Sequence, residues 1–386
     1  MSRRWAWLCL PLMLCAETRR VGPGQRYRTP CEAVREAAAG DVIEIDAAGD
    51  YRGDVCAFYP ERLTLRGVNG RPRIDAGGRT AQGKAIWVIG GGDVVVENIE
   101  FTGARCPDKN GAGIRFEGRR LTVRDSVFRN NENGILTWND PGSSLLVEYS
   151  EFDRNGHGDG YSHNIYVGRI AEFTMQFCWS HSAIEGHLVK SRAAKTHLLY
   201  NFLSTGNGTA SYEIDLPESG DALVAGNIVV QTASTHNAAV ISVGQESRAP
   251  GPGTALRLVH NTIVNLYPGP STVLRVGPGG PRRPELRNNL VLGRGIITNL
   301  ALPLPPDNVV LPAPAAWDPS RPGAGLQDLK AEAHPLPEEL TPRWQYRHPA
   351  CASRRPSARK PGALEDPAPL PGDAAALPPR CRDQGR

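Results

Sequence analysis

Between His157 and Asp215 the chain gathers side chains that hold, donate or accept protons. Four of its nine histidines fall between positions 157 and 187, and Lys190, Arg192, Tyr212, Glu213 and Asp215 follow closely. Three segments share one layout: His163 to Gly168 (HNIYVG), His187 to Arg192 (HLVKSR) and Tyr212 to Pro217 (YEIDLP). A lysine two residues from an arginine suits capture of a carboxylate and proton removal beside one. Glu213 and Asp215, two apart on an extended strand, would place their Cα atoms about 6.6 Å apart. That separation fits the roughly 5–9.5 Å at which two carboxylates cleave a glycosidic bond.

These residues act together only if their segments stack, and the surrounding sequence supplies the means. One template recurs along the body: an alternating apolar pair, a small polar residue, then an apolar anchor. The anchors are Phe101, Phe128, Phe152, Ser180, Leu203, Val229, Ile263 and Val291, spaced 27, 24, 28, 23, 26, 34 and 28 residues. After each anchor comes a second short strand centred on Ile135-Leu136, Ile165-Tyr166, Val189-Lys190, Ile214-Asp215, Ile241-Ser242 or Leu274-Arg275. Units of this size cannot bury an apolar face alone but can by stacking, which predicts a solenoid. The period is 2, not 3.6, so its elements are strands.

Stacked strands lie about 4.8 Å apart and alternate residues share a face. With the apolar partner inward, Tyr166, Lys190 and Asp215 form an outward column. Two residues along, Arg192 joins on one side, and Asn164 and Glu213 on the other. His163, His187 and Tyr212 form a second column where the strands begin. Asn98, Asn201, Asn227, Asn261 and Asn289 recur at the unit turns, where Asn tolerates left-handed backbone and stacked amides can bond between rungs.

Composition sets the frame. The 386 residues are 40% hydrophobic and 22% charged, with a net charge of +4. Residues 17–311 are balanced, with 31 basic and 31 acidic side chains, so a nucleic-acid partner held by bulk charge is not expected. No apolar run reaches the roughly 18 residues of a membrane span. Residues 1–16 (MSRRWAWLCLPLMLCA) read as a secretory signal, with Leu14 where a small residue usually precedes cleavage. The expected location is secreted or periplasmic. The six cysteines beyond that segment predict at most local staples, of which Cys31–Cys56 is the foremost. Residues 17–311 form the expected solenoid. From 312 onward, 15 of the 33 prolines predict an extended closing segment over 312–350 and a disordered Pro/Arg-rich tail over 351–386. Thr29-Pro30-Cys31-Glu32 is a capping box opening a short helix that Gly40 stops. With Val34, Ala37 and Ala38 inward, that helix would cap the open end.

The period together with Asn131 to Ile135 (NxxGI), HNIYVG, His187 to Ala193 (HLVKSRA) and YEIDLP resembles the right-handed parallel β-helix proteins of the pectate-lyase-like class over roughly residues 25–300. It is especially similar to exported bacterial β-helix repeat proteins. Lys190-Ser191, with Glu185 upstream, resembles the Lys-Ser element of alginate-lyase and chondroitinase-B-type lyases, which pair that lysine with an arginine on the next rung. Here that place holds Tyr212-Glu213-Ile214-Asp215. The resemblance implies an all-β, single-stranded right-handed parallel β-helix, a monomer acting on polysaccharide.

Three functions are compatible with the cluster, of which β-elimination is the expected one and the other two are alternatives. In β-elimination of a uronate-containing polysaccharide, Lys190 would be the base. Arg192, or Asn164 with His163, would clamp the carboxylate, Tyr166 would bind substrate, and Tyr212 or His187 would protonate the leaving oxygen. Asp215 and Glu213 oppose this by stabilising the ammonium. In hydrolysis, Glu213 and Asp215 would be the carboxylate pair. In a non-catalytic glycan-binding or envelope-structural protein, the outward charges are ordinary cross-strand pairs, and Trp87, Trp138 or Trp179 could stack on sugars. No cofactor is expected, apart from Ca2+ as an option at Glu213, Asp215 and Glu218. His157-Gly158-Asp159-Gly160 reads as a turn.

Overall fold

The computed structural model describes residues 16–312, 331–355, 358–364 and 381. The chain winds as a parallel β-solenoid whose coils contribute one strand to each of three sheets, one of 11 strands and two of 10. A representative coil runs through Ser144–Glu148 on the first sheet, Glu151–Asp153 on the third and Ile165–Val167 on the second. Strands of one to the next coil pair in parallel throughout. The expected signal at residues 1–16 lies outside the described residues apart from Ala16. No helix among the described residues is long and apolar enough to cross a membrane.

The repeat anchors are the register marks of the third sheet. Phe101 pairs with Phe128, Phe128 with Phe152, Phe152 with Ser180, and so on through Leu203, Val229, Ile263 and Val291. The first three stack ring on ring, with centroids 5.0 Å apart at each step. On the first sheet, alternate residues such as Leu121 and Val123, Leu145 and Val147, and Phe173 and Met175 are buried. These inward side chains form one apolar core running the length of the coil stack.

Polar side chains inside the corners tie the coils together. Asn201 Oδ1 accepts the backbone N–H of Cys178 at 2.9 Å; Asn227, Asn261 and Asn289 repeat this toward the coil before, at 2.9–3.0 Å. Each amide nitrogen donates to the oxygen of the next amide, at 3.0 Å. A planar amide both donates and accepts, so identical copies can stack indefinitely. The left-handed backbone falls one residue earlier, at Tyr200, Gly226, His260 and Asn288. Asn98 differs: it takes the left-handed position itself, and its amide bonds Gly67 O and Gly70 O.

Near the N-terminus the Thr29 capping box opens a helix, Pro30–Arg35, with Ala33 and Val34 buried. It is shorter than the expected run to Gly40, and the strand Thr18–Val21 extends the edge of the first sheet ahead of it. Cys31 is bonded to Cys56.

The C-terminal region departs from expectation. Trp344–Arg347 pairs antiparallel with Cys351–Arg354, so the boundary expected between a closing segment and a disordered tail falls inside a hairpin. A second disulfide joins Cys351 to Cys381. This hairpin lies against the solenoid: Tyr346 and Ala363 share a buried apolar cluster with Phe202, Val264 and Leu292. Proline content predicted loss of regular structure, but aromatic residues and a cross-link outweigh it here.

Candidate functional site

The second sheet carries the candidate site on strands of only three residues: Ile165–Val167, Val189–Ser191 and Ile214–Leu216. Their register pairs Tyr166 with Lys190, Lys190 with Asp215, and Asp215 with Ser242. Ile165, Val189 and Ile214 are fully buried, so Tyr166, Lys190 and Asp215 share the opposite face. Arg192, just past its strand, joins them: its Nε donates to the Tyr166 hydroxyl at 3.0 Å.

A chain of alternating charge crosses this wall. Lys190 Nζ lies 3.3 Å from Asp215 Oδ2 and 3.2 Å from Glu246 Oε1. Arg192 contacts Glu246 Oε2 and Glu218 Oε1, both at 2.5 Å, and Arg169 holds Glu218 from its other side. Lys190 and Arg192 also flank the Tyr166 ring, 5.6 and 5.8 Å from its centroid. Burial pushes the Asp215 carboxyl up, and Lys190 only partly offsets this. Burial also raises Glu246, but hydrogen bonding to Arg192 and the charge of Lys190 prevail and hold it below its ordinary value.

The second expected column is a stack of rings. His163 lies on His187 with centroids 4.6 Å apart, and His187 on Tyr212 at 5.1 Å. His163 Nδ1 accepts the His187 N–H at 2.9 Å, and His187 Nδ1 accepts the Tyr212 N–H at 3.2 Å. An Nδ1 that accepts has no proton, so both rings carry theirs on Nε2. Burial, aided by Lys190, lowers His187 to about 3, and burial also holds His163 well below its ordinary value. The 3.4 Å approach of His187 Nε2 to Asp215 Oδ2 is therefore a neutral N–H facing a carboxyl, not an ion pair.

Two expected site residues are not on this wall. Asn164 is sealed inside, where its oxygen accepts the Asn155 N–H and its nitrogen donates to Ser180 Oγ and His181 O. Glu213 is equally sealed, with its carboxyl bonded to Thr205 Oγ1 and, at 3.2 Å, to Gln231 Nε2. Burial pushes Glu213 up to about 8, so it is protonated at neutral pH. Both precede their strands by one residue. Strict alternation holds within a strand and breaks at the corner, where two successive residues turn inward. The hydrolytic pair Glu213–Asp215 is thus split between interior and wall. The carboxylates named for calcium do not meet: Glu213 is enclosed, and Glu218 is engaged by two arginines.

The residues that sequence reasoning missed are Arg169 and Glu246. Glu246 belongs to the coil with the 34-residue anchor spacing, and that length was the signal. Among the tryptophans, Trp87 is fully buried and Trp179 stacks on His181, whereas Trp138 is 55% exposed over Arg115. In the His157–Gly160 turn, Asp159 accepts the Tyr161 N–H at 3.0 Å. On the third sheet, Glu151, Asp153 and His181 lie close enough to hold a metal ion. Arg154 already bonds Asp153 at 3.0 Å, however, and Arg129 lies 3.7 Å from Glu151.

No protein-family model and no curated protein matches the chain. Its structure is similar to the crystal structure of pectate lyase Pel9A. The TM-score is 0.55 over 76% of this chain and 79% of that one, at 14% sequence identity. The fold is that of a pectate-lyase-like β-helix.

Proposed function

We propose that this pectate-lyase-like β-helix works outside the cytoplasm and binds a uronate-bearing polysaccharide along the outward face of its second sheet. One observation carries the substrate class: Arg169, Lys190 and Arg192 converge on a wall with an aromatic ring, Tyr166, between them. A planar guanidinium and an ammonium suit a carboxylate, and the ring suits a sugar face. The two disulfides favour an oxidising compartment, in keeping with a signal at residues 1–16. The helix Pro30–Arg35 is proposed to shield the first coil of a right-handed winding.

Recognition is what this geometry serves best. Lys190 is paired with two carboxylates, and His163 and His187 present N–H groups, not a free base. β-Elimination is the second reading, favoured by Lys190 and Arg192 lying together beside Tyr166 and opposed by the 3.3 Å Lys190–Asp215 contact, which stabilises the ammonium. For Lys190 to act as base its proton must leave, and Asp215, 3.3 Å away, is the neighbouring carboxyl that would take it. Arg192 would then hold the uronate, and Tyr212 would protonate the departing oxygen; a neutral His187 offers that oxygen a hydrogen bond, not a proton.

The test is a panel of uronate and neutral polysaccharides scored for binding, new conjugated uronate ends and new reducing ends. Uronate binding without either product assigns a binding protein, and conjugated ends assign the lyase. New reducing ends without conjugation would indicate hydrolysis, and a protein that binds no uronate overturns the proposal.

A further inference from the structure

The carboxylate of Glu246 bridges the two cations in the way a bound uronate would. One oxygen is 3.2 Å from Lys190 Nζ and the other 2.5 Å from an Arg192 nitrogen. The partners differ in burial: the lysine and arginine side chains are 11% and 12% exposed, and that of Glu246 is 46% exposed. The cations are therefore built into the wall, and the glutamate reaches them from outside.

We infer that Glu246 is a tethered stand-in for the substrate carboxylate, a gate that an incoming uronate must displace; this rests on the uronate-binding reading above.

The chain invests length to put Glu246 there. Residues 192–194 join Val189–Ser191 to Lys195–Leu199, and residues 217–220 join Ile214–Leu216 to Asp221–Ala225. The equivalent connection one coil later runs from 244 to 254 and carries Glu246 back across two coils. Its base is fixed where the Glu246 N–H donates to Pro217 O at 2.8 Å. Its pivot, Gly244, has φ +67°, and an added Cβ would fall 2.0 Å from the Gly280 backbone nitrogen. The backbone is held, so the exchange needs only the half-exposed side chain to turn away from its two cations.

Charge counting supports the exchange. With Glu246 turned away, Lys190 retains Asp215, and Arg192 and Arg169 share Glu218. Three cations then face two carboxylates, which leaves one positive charge for one carboxylate of the ligand. A neutral sugar gains nothing from that vacancy, so the gate also selects for acidity.

The experiment compares the full chain with Glu246→Gln and Arg192→Gln for binding oligomannuronate, oligogalacturonate and oligoglucuronate, with a neutral cello-oligosaccharide as control. If the open arrangement is about a tenth populated, removing the gate tightens uronate binding about tenfold. E246Q should show that gain for uronates alone, and R192Q should lose uronate binding. Equal affinities in E246Q and the parent protein, with R192Q still defective, overturn the gate and leave the uronate reading standing. Tighter binding of the neutral control as well overturns the gate, since it would reflect simple unblocking. No uronate binding by any form overturns both. Should E246Q fail to show the parent's unfolding midpoint, Glu246→Ala serves the same comparison.

Discussion

Inside the corners, one column repeats the same group coil after coil: Asn201, Asn227, Asn261, Asn289. Outside, on the second sheet, no residue type repeats: Tyr166, Lys190, Asp215, Ser242. The spacing is identical, so the difference lies in what each group does to a copy of itself. An amide stacked on an amide gains two hydrogen bonds. A charge stacked on its like about 5 Å away costs roughly 1 kcal/mol even in water. A solenoid therefore spends repetition on its interior and variety on its surface, and variety is where chemistry can be placed.

The interior column should be the most fragile to change. Asn227→Ala would orphan the backbone N–H of Asn201 and remove one partner each from the Asn201 amide, the oxygen of Leu198 and the amide oxygen of Asn261. One orphaned buried N–H and three lost hydrogen bonds should together cost about 3 kcal/mol or more in chemical denaturation. A loss below about 1 kcal/mol would mean that the column is ornament and the contrast false.

Glu213 is the acidic exception inside, and it sharpens the comparison through pH. Its folded value stands near 8 against an ordinary 4.5, because burial favours the neutral form. Between those values the folded chain keeps a proton that the unfolded chain releases. Stability from this group is complete below the window and declines as pH rises through it. Glu213→Gln, with its amide nitrogen turned to Thr205, should flatten that decline, as read from denaturation midpoints on either side of the window.

On the wall the balance reverses. Arg192→Gln should cost at least about tenfold in uronate affinity while changing stability by less than about 1 kcal/mol. Glu218 keeps Arg169, and Glu246 keeps Lys190. A large fall in stability would make the wall structural. The smallest effect is expected at exposed Trp138: Trp138→Ala should leave the midpoint unchanged and weaken polysaccharide binding by about two- to threefold, if the indole adds one stacking contact.

Whatever depends on period was legible in the sequence. The anchors set the register of the third sheet, and apolar pairs such as Val189-Lys190 and Ile214-Asp215 placed the outward column correctly. Cys31–Cys56 followed from proximity along the chain. What escaped depends on corners and long reach. Asn164 and Glu213 obey the alternation on paper, but each sits where the backbone turns, and there both neighbours point inward. Glu246 lies 56 residues from Lys190, and the long spacing of its coil marks an insertion without saying which residue it brings back. The C-terminal hairpin was hidden because proline counts say where regular strands stop, not where aromatic side chains will dock.

That hairpin bears on how the molecule comes apart. Trp344 meets Phe177, His348 meets Trp179, and Tyr346 meets Phe202. Farther on, the Gly362 N–H bonds Asn288 O and the Ala363 N–H bonds Thr262 Oγ1. A stack of coils linked only to nearest neighbours would fray one turn at a time from its ends. Here a lengthwise splint spans the turns from Phe177 to Asn288, and fraying from the C-terminal end must first lift it. The N-terminal turns, which the described part of the splint does not reach, should exchange their amide hydrogens sooner, and cutting the Cys351–Cys381 link should erase that lead.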